Sequence, residues 1–391
     1  MKKLSIYIHI PFCIRKCNYC DFLSFGVGDK CIEGIGVYRK RYIDALCAEI
    51  KSYKIVSEEY RIATIFIGGG TPSILMSGEL SRIMVAVRET FRLDKDIEVT
   101  IETNPGTITE EKAREYIGCG INRISIGLQS ANDEELAMLG RVHNYDQFLA
   151  AFNIAREAGF RNINIDIMAA LPGQSVHSYL DTLEKVLKCR PEHISSYSLI
   201  VEEDTPLASN EALLALLPDE EEERKMYDAT DKVLSLAGYQ RYEISNYAKP
   251  GFECEHNKVY WTLGEYIGIG IGAASFFKGR RFSNTKDIRK YVQVFAEHGE
   301  YERIEEIRNI DEELTADRLM EEYMFLGLRM TEGVSAAQFN EHFGHSIYDI
   351  YGRVIEKYVK SGYLINDGGI IKLSKRGIDV SNRILADFLL D

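Results

Sequence analysis

The chain has 391 residues, enough for one large catalytic-type domain with a smaller appendage. Its 47 lysines and arginines face 60 aspartates and glutamates, and the resulting net charge of −13 argues against nucleic acid or an anionic membrane surface as partner. Eight cysteines are too few and too unevenly spaced for a secreted disulfide framework.

Lys2, Lys3 and the apolar residues up to Phe12 imitate a secretion signal, but Tyr7, His9 and Pro11 interrupt the run and no small-residue cleavage site precedes Cys13. No stretch approaches the roughly 18–20 apolar residues that span a bilayer, so a cytoplasmic protein without an integral membrane segment is expected. Strand-like runs begin near Leu4, Ile62, Ile97, Ile121, Asn162 and His193, each followed by a helix-like stretch, which predicts a parallel α/β sheet. Within the strands one face is apolar and the other is not. Ile97, Val99 and Ile101 alternate with Glu98, Thr100 and Glu102, and Ile163, Ile165 and Ile167 alternate with Asn162, Asn164 and Asp166. Parallel strands buried on both sides normally read as continuous apolar runs, so the polar face lines something wet or liganded. The expected architecture is an incomplete, open (β/α)6-type barrel with a polar cavity; a sheet with one side facing solvent is the plainer alternative.

Asp219 to Glu223 starts a helix that leads to a seventh strand-like run near Tyr239 to Ile244. Gly264 to Gly272 holds too much glycine for the interior of a regular element and reads as a loop or a close-approach surface. Further on, Leu319, Tyr323 and Leu326 sit at helical spacing, and helices are expected over Ala336 to His342 and Tyr348 to Lys360. Tyr363 to Ile365 and Ile370 to Leu373 flank a hairpin turn at Asn366 to Gly369. This is a helical, winged-helix-like domain. With nine basic and 14 acidic residues over 311–391, it is expected to be structural or protein-binding rather than DNA-binding. The organisation is therefore 1–240 barrel, 241–310 connecting segment, 311–391 C-terminal domain.

Cys13, Cys17 and Cys20 stand in a CxxxCxxC pattern. Three thiolates can hold a cubane iron–sulfur cluster and leave its fourth iron open to a ligand, whereas zinc sites prefer four protein ligands and paired spacing. Cys31, Cys47, Cys119, Cys189 and Cys254 are single and read as small buried hydrophobes.

The run from Tyr7 through Cys13, with Cys17, Tyr19 and Cys20, resembles the start of the radical S-adenosylmethionine proteins related to oxygen-independent coproporphyrinogen III oxidase, and the resemblance covers nearly the whole chain. It implies a 4Fe-4S cluster on Cys13, Cys17 and Cys20, S-adenosylmethionine as the ligand of the open iron, and an electron donor to the cluster. It also implies cofactor contacts. Gly69, Gly70 and Thr71 of the Gly68–Pro72 turn would meet the methionine ammonium, Glu102 would accept from ammonium or ribose, Gln129 would read polar edges, Arg141 would pair with a carboxylate, and Asp166 would receive ribose hydroxyls. Tyr7 and Tyr19 would lie beside the cluster.

Two features separate branches of that family. Cys20 is followed by Asp21-Phe22, where the dehydrogenases resemble one another in having glycine and a further cysteine, and only six residues precede Tyr7. Both imply the heme-chaperone branch rather than coproporphyrinogen decarboxylation, so no catalytic residue is assigned. The run His256-Asn257-Lys258-Val259-Tyr260-Trp261 resembles the HNxxYW motif linked to heme in that branch, with His256 the best candidate ligand, Cys254 a weaker one, and Tyr260 and Trp261 as packing rings. A buried His-Asn pair with a core Tyr-Trp cluster would carry the same residues. The implied cargo is heme, and the implied partners are heme-accepting proteins such as respiratory enzymes.

Overall fold

All six expected strands form and lie side by side in one sheet. β1 (Lys2–Ile10), β2 (Tyr60–Gly69), β3 (Leu93–Thr103), β4 (Arg123–Gln129), β5 (Ile163–Ala169) and β6 (His193–Ser198) pair in parallel in that order. The computed structural model describes residues 1–26, 35–298 and 304–390, so Cys31 lies outside the described residues. Helices cross between successive strands, three of them beginning on capping side chains. Thr109, Asn144 and Ser175 accept hydrogen bonds from the backbone of Lys112, Gln147 and Ser178, three residues on.

The two faces of the strands have different fates. Ile124, Ile126, Ile163, Ile165 and Ile167 are fully buried in the core beneath the helices, each contributing roughly 1.5–3 kcal/mol by leaving water. Their polar neighbours are buried too: Thr100, Ser125, Asn164 and Ser195 are at most 4% exposed. The polar face is therefore an interior and not the solvent side of an open sheet. Among the described residues the ends of the sheet do not pair with each other, which leaves the incomplete barrel that the alternation predicts.

The glycine-rich stretch corrects one expectation. Tyr266–Ile269 is a regular strand, β7, parallel to β1 on the side away from β2. Gly268 serves a tight pairing, since a Cβ there would lie 2.2 Å from the Ala274 carbonyl oxygen. Three antiparallel strands, Ala274–Phe277, Arg280–Asn284 and Arg308–Glu313, continue the sheet beyond it. At the other edge the expected seventh run shrinks to Gln240–Arg241, which pairs antiparallel with Asn246–Ala248, a short strand beyond that run that itself lies antiparallel on β6.

After residue 314 come helices Ala316–Gly327, Ala336–Phe343 and Ile347–Lys360, then the hairpin of Leu364–Asp367 with Ile370–Leu373. Met324, Phe339, Tyr351, Ile371 and Phe388 close a core separate from that of the barrel.

Candidate functional site

The chain leaves β1 at Ile10 and runs through Pro11 and Phe12 into Cys13, and the turn after β2 fastens this exit. The Gly70 N–H donates to the Ile10 carbonyl and the Thr71 N–H to the Phe12 carbonyl, both at 2.8 Å. Glycine is required at two positions here. A Cβ at Gly69, where φ is +112°, would lie 2.4 Å from the His9 ring, and one at Gly70 would lie 2.8 Å from the Phe12 carbonyl oxygen.

A hydrogen-bonded circuit then joins two of the clustered thiols. The Thr71 hydroxyl donates to the Cys13 sulfur at 3.5 Å, and the Asn104 amide donates to the Thr71 hydroxyl at 2.8 Å. Arg141 donates to Asn104 Oδ1 at 2.7 Å, to the Gly127 carbonyl at 2.8 Å and to the Cys17 sulfur at 3.4 Å. Asn104 was not legible as a site residue, because its partners stand more than 30 residues away on either side. Cys13, Cys17 and Cys20 are all free thiols. Burial raises the pKa of Cys13, which Thr71 opposes, and raises Cys20 to about 11. Donors aimed at two sulfurs favour the thiolate form, so this donor set fits a cluster bound through thiolates. Among the described residues no three His, Cys, Asp or Glu side chains converge as ligands of a single metal ion.

The inner strand faces enclose a cavity of about 230 Å³. Tyr7, Gly69, Glu102, Asp166, His256, Asn257 and Tyr260 line it, together with Phe22 of the Asp21-Phe22 junction and with Arg123 and Tyr197, which the sequence did not single out. Glu102 accepts from the Gly69 N–H at 3.0 Å; burial first, then the charge of Asp166, pushes its carboxyl up to about 7. Asp166 is held by the Ser125 hydroxyl and the Asn164 amide, each at 2.7 Å. His9 Nε2 donates to the Leu23 carbonyl at 2.8 Å, which leaves Nδ1 to accept from the Tyr7 hydroxyl at 3.0 Å. Burial lowers the pKa of His9 and keeps the ring neutral. Tyr19 packs on Leu139, Met168 and Leu171, and burial raises its phenol. Gln129 does not line the cavity. It ends β4 at a bulge with φ +71°, and its amide passes 3.0 Å from where a Cβ on Gly127 would be.

The His256–Trp261 run forms one short helix, Glu255–Trp261, whose residues diverge. His256 is 1% exposed and stacks on Phe66 at 5.2 Å between ring centroids. Its Nδ1 bonds the Thr64 hydroxyl at 2.7 Å and its Nε2 the Tyr260 hydroxyl at 2.9 Å. Burial, then Arg123, lowers its pKa to about 3, so the imidazole is neutral, yet neither nitrogen is free. Cys254 is buried and its thiol donates to Glu98 at 3.5 Å. Trp261 stands outside the cavity, toward the C-terminal domain, with the Arg329 guanidinium 4.4 Å from its ring centroid and its own N–H without a partner among the described residues.

Comparison with known proteins places these residues in context. Residues 7–186 match the model of the radical SAM superfamily, and residues 314–380 that of the HemN C-terminal domain. A Lactococcus lactis protein named heme chaperone HemW is 36% identical over 391 residues, covering 100% of this chain and 98% of its own. The Escherichia coli protein of the same name is 34% identical, covering 99% and 98%. The solved structure of E. coli coproporphyrinogen III oxidase, HemN, described as a radical SAM enzyme, superposes with a TM-score of 0.84 at 24% identity, over 99% of this chain and 90% of that one.

Proposed function

We propose, from the premise that this chain belongs to the family of radical S-adenosylmethionine proteins whose relatives are named heme chaperone HemW, that it binds heme and delivers it to heme-dependent proteins such as respiratory enzymes. The observation that carries this reading is similarity to those relatives along essentially the whole of both chains. The fold shared with coproporphyrinogen III oxidase supports the scaffold and goes no further at 24% identity.

In this reading Cys13, Cys17 and Cys20 hold the 4Fe-4S cluster that the family implies. When bound, the cluster offers an open iron for S-adenosylmethionine and one electron from an outside donor. The chain's own groups do the positioning. Arg141 pairs with the cofactor carboxylate, Glu102 accepts from its ammonium, Asp166 receives ribose hydroxyls, and Tyr7, Tyr19, Gly69, Gly70, Thr71 and Gln129 complete the contacts. His256, Asn257 and Tyr260 form the heme-facing set; ligation of iron by His256 would require it to give up Thr64 or Tyr260, and Trp261 would act from the domain boundary. The division at 240 and 310 and a cytoplasmic location belong to the same reading. No described helix is long and apolar enough to cross a membrane.

The test uses anaerobically reconstituted protein with its cluster intact. Hemin titration is expected to show saturable binding that His256→Ala weakens at least tenfold, and incubation with S-adenosylmethionine, a reductant and coproporphyrinogen III is expected to yield no decarboxylated porphyrin by mass. Many turnovers of decarboxylation, or hemin affinity unchanged in His256→Ala, would overturn the reading or its heme site respectively.

A further inference from the structure

Arg123 is the first residue of β4, with its side chain inside the barrel and only 2% of its surface exposed. Among the described residues its side chain forms no hydrogen bond and no ion pair, and its Nε is buried without a partner. A buried charge left this way is costly, and native interiors satisfy such groups with a partner, a water or a ligand.

The nearby groups that could satisfy it are already committed. Glu98 accepts from the backbone N–H groups of His256 and Glu255, at 3.0 and 3.1 Å, and from the Cys254 thiol. Asp166 takes its two bonds from Ser125 and Asn164. The Tyr242 hydroxyl is bonded to His193 Nε2 at 2.8 Å. These groups surround Arg123 closely enough to outweigh the burial that opposes its charge, so it stays protonated, but none of them reaches the guanidinium.

Arg123 lines the central cavity and is the only cationic side chain to do so among the described residues, His256 being neutral. Ser125, Asn164, Ser195 and Tyr197 line it alongside, all hydrogen-bonding groups. A planar guanidinium with free donors, ringed by hydroxyls and an amide, matches a carboxylate in charge and shape. Size narrows the ligand further. Pockets that enclose drug-sized molecules hold about 300–1,000 Å³. This cavity holds about 230 Å³, so a carboxylate-bearing arm fits inside it while the rest of a larger ligand would extend beyond it. Of its lining side chains Phe22 and Tyr197 are 60% and 40% exposed, and the bulk of a larger ligand would lie on their side.

We propose that Arg123 anchors a ligand carboxylate inside the barrel, as a subsite separate from the thiol-linked Arg141. Two ligands of the proposed function carry that group: a porphyrin has propionates that no other residue is assigned, whereas S-adenosylmethionine would bring its amino-acid end to Arg123 in place of Arg141. The subsite itself requires neither identification.

Two matched probe pairs test it on the full chain with its cluster reconstituted: hemin against hemin dimethyl ester, and S-adenosylmethionine against its decarboxylated analogue. Equilibrium binding is measured for the wild type, Arg123→Gln and Arg123→Lys, with a thermal melt to confirm that each is folded. The wild type is expected to favour the free acid of one pair at least tenfold, Arg123→Gln to reduce that preference to within twofold, and Arg123→Lys to keep part of it. Loss of preference within the hemin pair assigns a propionate, and loss within the other pair assigns the amino-acid carboxylate. A preference that survives in Arg123→Gln for both pairs, or no preference in the wild type, overturns the proposal; should Arg123→Gln fail to fold, the wild-type preferences and Arg123→Lys still decide. Wild-type protein that binds no hemin would instead refute the heme reading and leave the second pair to judge Arg123.

Discussion

Glu49 is a wholly buried carboxyl and Glu102 a half-buried one on the cavity wall; burial pushes both up to about 7, yet they sit in opposite kinds of surroundings. Glu49, on the helix Ile35–Ser52, accepts from the Gly270 N–H at 2.8 Å, the Asn284 amide at 2.7 Å and the Tyr291 hydroxyl. It ties that helix to the turn after β7 and to the helix Ile288–His298. Glu102 accepts one bond, from Gly69, and otherwise faces Asp166 and the cavity. A shifted pKa alone does not mark a functional group. The count of satisfied partners separates the two: Glu49 is a brace that is complete in itself, whereas Glu102 has acceptor capacity left for something from outside.

The comparison can be broken most directly at the brace. Glu49→Ala strands three buried donors, at roughly 1–3 kcal/mol each before relaxation, and is expected to cost about 3–5 kcal/mol in chemical denaturation. A loss below about 1 kcal/mol would mean that the brace is dispensable. Glu49→Gln probes the charge. The folded carboxyl titrates near 7 against an ordinary 4.5, so its protonated form is favoured by folding. That contribution is present in full below about pH 4.5 and is lost as pH rises through 7, a swing on the order of 3 kcal/mol. The stability difference between Glu49→Gln and wild type should therefore change across pH 4.5–7 in favour of the variant at the upper end, and a pH-independent difference would contradict the shift. The smallest stability effect is expected from Glu102→Gln, below about 1 kcal/mol, with a loss of about tenfold in S-adenosylmethionine affinity in the reconstituted protein. In the wild type, the carboxylate is lost as pH falls through about 7, so affinity for the cofactor's ammonium should fall in the same direction and the variant should show no such slope. If Glu102→Gln destabilised the fold as much as Glu49→Ala, the contrast between brace and open acceptor would collapse.

The strands and the polar inner face were legible because period-two alternation is a local signal, carried by neighbours such as Ile163 and Asn164. β7 was not: the glycines around it favour a loop, and only the approach of Ala274 to Gly268 explains why a strand needs one there. The cysteines and the Gly69–Thr71 turn could be read from spacing and resemblance. Asn104 and Arg123 could not, since what distinguishes them is, for one, a pair of distant partners and, for the other, a side chain without any among the described residues. The His256–Trp261 run was visible as a unit, but a linear motif does not show that its histidine spends both nitrogens internally or that its tryptophan lies under Arg329.

The fit of Gly69 against the His9 ring also bears on how this chain can drift. A side chain at position 69 meets two independent obstacles, the collision with His9 and the left-handed backbone, so clearing one by a compensating change at His9 leaves the other in place. Even alanine, the smallest replacement, would have to move the exit of β1 on which Cys13 depends. The turn is thus a point of low mutational tolerance, and variants in a saturation library should be depleted there for every residue type, charged or apolar alike.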